Sequence, residues 1–220
     1  MQGLDSFPKK GTGALVCLLM VLAFIGFYPP YFSQFPRFAK TGWQVHFHVA
    51  TIVAWLALLA TQAWLAGHGR LELHRRLGRW SYVLVPLLVL GFLAVTSFGQ
   101  RRHREPALLG AAFLDGSFFL LSYVLAIVKR QSAALHSRYM MLTAISLLNP
   151  ALGRAISPAV SVPFEFLLIL MLLIVSRVKG HPWQPFLVGA IAYSSLLAVV
   201  VYGSIVEPTI MDRIWAVIWG

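Results

Sequence analysis

An all-α integral membrane bundle of seven transmembrane helices, closed by a short interfacial C-terminal helix, is the fold the sequence predicts. Three observations carry that expectation. Hydrophobic residues fill 59% of the 220 positions and charged ones only 11%, against about 25% charged in an ordinary soluble domain. Mean hydropathy is +0.76. The apolar residues also come in runs of the length a bilayer core demands, about 20 residues, with short basic clusters between them. A net charge of +11 spread in this way belongs to loops facing anionic head groups. No groove-reading module accompanies it, which argues against nucleic acid as a partner. The single cysteine, Cys17, sits in an apolar run and excludes a disulfide framework.

The first run, 13–32, follows Lys9-Lys10 and ends in FYPPYF rather than in a small-residue cleavage site. It reads as a retained anchor helix, not a signal peptide. Runs 43–66, 78–98 and 107–128 follow, then 137–156, 162–178 and 184–206. Proline and glycine blur two boundaries, Ser157-Pro158 and Gly180-His181-Pro182. After Pro208 the tail TIMDRIWAVIWG has the tryptophans of a helix lying at head-group level. Without a long linker or repeat, residues 1–220 form one polytopic domain. Lys and Arg number 11 on the side of the N-terminus and seven on the other. That bias predicts a cytoplasmic N-terminus in a bacterial inner membrane.

Ionisable groups inside spans are costly and by default mark function. One end of the bundle collects His46, His48, Asp115, Asn149, Arg154 and Glu165. The other collects His74, Arg75 and Arg76, with His136 and Arg138. His48, Trp55 and Gln62 are seven residues apart, so they form one stripe that faces neighbouring helices. His46 points elsewhere. His136 and Arg154 are 18 apart, about five turns or 27 Å along a continuous helix, and so mark opposite edges of one seam. Asn149 and Arg154 join Trp55 and Gln62 in an expected interior polar network. Arg154 either pairs with Asp115 or Glu165 or snorkels to head groups. His48, Asp115 and Glu165 form a candidate cation site.

The segments His74-Arg75-Arg76-Leu77-Gly78-Arg79 and His136-x-Arg138-x-Met140, with Arg154 farther on, resemble signatures of uncharacterised bacterial multi-pass membrane proteins (domain-of-unknown-function 2306-like). The likeness covers about residues 43–156. A more distant likeness is to transmembrane b-type cytochromes, bundles that hold haem between histidines on facing helices. That likeness implies haem b between His74 and His136, with Arg75 and Arg138 available to its propionates. His48 has no histidine partner at its depth, so one haem is implied rather than two. Three functions are open on this reading. One is a haem-binding electron-transfer protein working with a quinone or another membrane protein. The second is a non-catalytic accessory, assembly or scaffold subunit in contact with membrane lipids. The third is an intramembrane enzyme or proton or solute pathway built on His48, Asp115, Arg154 and Glu165. No phosphate loop, nucleophile elbow or HExxH motif occurs.

Overall fold

The computed structural model describes residues 18, 20–39, 41–103 and 106–219. Lys9, Lys10, Cys17, Lys40 and Arg104, on which the anchor and orientation expectations partly rest, lie outside the described residues. Every regular element among the described residues is helical. Residues 20–27 are helical and lead through a 3-10 turn, Phe32–Gln34, to α1, Trp43–Gly67. Then come α2 (Leu71–Gly78), α3 (Ser81–Arg102), α4 (Pro106–Val128), α5 (Ala133–Ile145) and α6 (Leu148–Ala155). They are followed by α7 (Pro158–Val178), α8 (Gln184–Val201) and α9 (Thr209–Trp219), with a π turn at Tyr202–Val206 between the last two.

Five helices are long and apolar enough to cross a membrane: α1, α3, α4, α7 and α8. The expected count of seven is not reached among the described residues, and the fifth run shows why. Run 137–156 is divided between α5 and α6. Pro150 has no N–H for the Ser146 carbonyl and its ring crowds that carbonyl, so a straight helix cannot continue there. The single five-turn seam from His136 to Arg154 is therefore interrupted. His74 to Gly78 of the HRRLGR segment lie on α2, a separate eight-residue helix capped by Arg79. Its sequence LELHRRLG is amphipathic and too polar to enter lipid. Gly69, at φ 72°, supplies the left-handed residue that the tight α1–α2 corner requires.

The packing order brings distant segments together. α1 lies along α3, α4 along α5 and α8, and α6 and α8 along α7. Two close approaches between helices depend on glycine. A Cβ on Gly91 of α3 would meet the His48 Cα at 3.2 Å, and one on Gly26 would clash with the Ala151 carbonyl oxygen. Small residues of this kind let helix backbones approach closely, which is how membrane helices gain packing energy without a hydrophobic drive between them. Burial is inverted relative to a soluble protein. Leu167, Ile174 and Val178 are exposed, whereas Arg138, Asp115, Asn149, Ser161 and Glu165 are buried among Trp55, Phe118, Phe119, Phe186 and Tyr193. The polar interior concentrates at two levels, one near each end of the bundle.

Candidate functional site

At the α2 end, His74 of α2 and His136 of α5 face each other, their ring centroids 6.4 Å apart and their planes at 80°. His136 Nδ1–H donates to the Ala126 carbonyl at 2.8 Å. That carbonyl belongs to the last turn of α4, where helix geometry supplies no N–H of its own. His74 Nδ1–H donates to the Gln62 carbonyl of α1 at 3.2 Å. With Nδ1 committed as a donor, a neutral imidazole carries its lone pair on Nε2. Such second-shell bonds are what fix tautomer and ring direction in metal-ligating histidines. Both rings thus have the same arrangement, although 62 residues separate them in sequence.

On the helices that meet at this end, several side chains are enclosed. Arg138 is 1% exposed, and its Nη1 donates to the Ala134 carbonyl at 2.6 Å. Tyr123 and Ser81 share a hydroxyl–hydroxyl bond of 3.0 Å, and Ser81 donates to the Gly78 carbonyl. Trp55 stands edge-on to Phe119 and Tyr123. Its Nε1 is buried without a hydrogen-bond partner, as are both amide atoms of Gln62. The stripe His48–Trp55–Gln62 does face inward, as its spacing predicts. Arg75 does not join the pair: it is exposed, and its Nε donates to the Leu71 carbonyl of its own helix.

At the opposite end, Asn149 of α6 ties three helices together. Its Nδ2 donates to both oxygens of Asp115 on α4, at 3.0 and 3.2 Å. Its Oδ1 accepts from Ser161 Oγ of α7 at 2.5 Å. Asp115 is 4% exposed and Asn149 5%, so this chain is almost wholly buried. Glu165, one turn beyond Ser161, is fully buried. Tyr193 lies beside it, with its hydroxyl donating to the Val162 carbonyl at 3.3 Å. His48 is buried with Nδ1 unpartnered, and its ring tilts against Phe92. His46 points to the other face, where Tyr31 hydroxyl bonds its Nδ1 at 2.8 Å.

One expectation for this end is corrected. Arg154 donates to the Pro150 carbonyl of its own helix at 2.8 Å and lies 5.0 Å over the Phe27 ring, with the Asp115 carboxylate within electrostatic reach. His48, Asp115 and Glu165 do not converge. No group of three or more His, Cys, Asp or Glu side chains is placed to hold a metal ion among the described residues. Asp115 is engaged by Asn149, and Glu165 packs toward α8. Ser161, which residue spacing did not single out, is the third member of the Asn149 chain. It is four residues before Glu165 and shares a helix face with it.

Beside this polar chain lies a cavity of about 950 Å³ between α1, α3, α4 and the C-terminal segment. His48 and Asp115 are both on its wall. No protein-family model, curated protein or solved structure matches the chain.

Proposed function

We propose that this multi-pass membrane protein is an electron-transfer protein that binds one b-type haem between His74 and His136. The observation that carries the reading is the paired imidazoles, each with Nδ1–H held by a carbonyl and with centroids 6.4 Å apart. A metal between two imidazole nitrogens, about 2.0 Å from each and about 1 Å more from each ring centre, separates the centroids by about 6 Å. The donor set fits haem better than a structural metal, because a structural metal site needs four donors and two histidines supply only two. His74 and His136 would hold the group. The buried Arg138 would supply the counter-charge for a propionate.

Bound haem supplies one-electron exchange. The chain's own contribution is to fix the two rings through Gln62 and Ala126, to exclude water with Trp55, Phe119 and Tyr123, and to hold positive charge beside the site. The basic residues of the described segments at this end, Arg70 to Arg79, Lys129 to Arg138 and Arg177 to Lys179, support a cytoplasmic location for it in a bacterial inner membrane. The test is expression with ample haem, followed by the variants His74→Ala and His136→Ala. Each should lose most of the bound haem while remaining folded by thermal melting. A variant that keeps its full haem content would rule that histidine out as a ligand.

A further inference from the structure

The cavity at the other end of the bundle calls for its own occupant. At about 950 Å³ it is at the upper end of the range for small-molecule sites, which are mostly apolar with a few placed polar groups. Its walls follow that pattern. Phe92 comes from α3 and Phe113 and Phe119 from α4, while His48 and Asp115 meet it from α1 and α4. His48 is 7% exposed, and its Nδ1 has no partner within the protein. An imidazole that lines an apolar cavity and whose ring has no hydrogen-bond partner among the described residues is a group that a ligand atom can engage. No lysine or arginine is among the lining residues, so nothing at this wall is built to receive a phosphate head group.

The C-terminal segment supplies the remaining wall. Ile210, Ile214 and Ile218 of α9 all reach the cavity. Spaced by four, they form one apolar stripe of a helix. The Tyr202–Val206 π turn joins α9 to α8, and Tyr202 also lines the cavity. Turns of this type are frequent at functional sites.

We propose that this cavity binds an isoprenoid quinone or quinol. The ligand is expected to be uncharged, since no lysine or arginine is among the described lining residues. It must be apolar over most of its length, to match the walls. Its head must be planar, to lie among Phe92, Phe113 and Phe119, and must carry an oxygen that hydrogen-bonds to His48 and Asp115. A ring carbonyl accepts from an imidazole N–H, and a ring hydroxyl donates to the Asp115 carboxylate, so both forms can be held. A phospholipid or free fatty acid satisfies the apolar walls but not the polar end.

The experiment uses the full chain in lipid nanodiscs and decylubiquinone as the probe, with binding read by equilibrium partitioning and by the shift in melting temperature. Saturable binding at one site per chain is expected. Ser117→Phe, which fills the cavity from α4, and His48→Leu, which removes the polar partner, should each weaken it by at least about tenfold. A decyl chain without the ring should not displace the probe. Three results would overturn the proposal: no saturable binding by folded protein, binding unchanged by Ser117→Phe, or displacement by decanoate at equal concentration. Ser117→Phe decides the matter alone if His48→Leu does not fold. None of these readouts involves His74 or His136, so the outcome is independent of the haem test.

Discussion

Replacing Asn149 with leucine removes the residue on which the Asp115 end depends. The side chain makes a forked donation to Asp115 and accepts from Ser161. Because both contacts to Asp115 come from one nitrogen, they count as little more than one bond. Interhelical hydrogen bonds in membrane proteins average about 0.6 kcal/mol and reach about 1.7, so two such bonds contribute about 1–3 kcal/mol. To this is added the cost of leaving the Asp115 carboxyl buried without its donor, about 1–3 kcal/mol. We expect Asn149→Leu to destabilise the folded protein by about 2–6 kcal/mol, read from reversible denaturant unfolding in mixed micelles. The double variant Asp115→Leu with Asn149→Leu should recover at least half of that loss, since the stranded carboxyl is gone. A single-variant loss under about 1 kcal/mol, or strictly additive losses in the cycle, would refute the reasoning.

Other expectations follow from the same geometry. Gln62→Leu removes an amide whose two polar atoms are buried without partners, so it should leave the melting temperature unchanged or raise it, in contrast to Asn149→Leu. Gly26→Ala places a methyl group in clash with the Ala151 carbonyl oxygen. Separating those backbones should cost about 1–3 kcal/mol, visible as a lowered thermal midpoint. Ser132 caps α5 through a long bond of 3.4 Å to the Leu135 N–H, so Ser132→Ala should cost only about 0.5 kcal/mol in the same melt, the low end for a cap.

Much of this architecture is written in the apolar runs. The run 43–66 became Trp43–Gly67 almost unchanged, because a 25-residue apolar helix has no competing solution in a bilayer. The sequence was less informative where a local breaker competed with composition. Hydropathy counts Pro150 as one neutral residue in an apolar run, whereas the backbone treats it as the loss of a hydrogen bond, and the span divides there. Placement by end predicted that His74 and His136 belong together, since both sit at the same edge of the bundle. It gave no means of knowing that Gln62 and Ala126 would orient them. Asp115 was legible as a buried acid, and Arg154 was the obvious cation for it. The hydrogen-bonded partner is instead the neutral Asn149, while Arg154 donates to the Pro150 carbonyl and lies over the Phe27 ring. Pairings of that kind depend on crossing angles between helices, which residue spacing within one helix does not encode.

The visible spectrum of the full chain, purified in detergent after haem-replete expression, tests the central claim most directly. The account predicts a Soret band and sharp α and β bands on reduction, as for a low-spin iron with two imidazole ligands. One haem should be bound per chain, and it should be lost in His136→Ala. Folded protein with no Soret band under those conditions would contradict it.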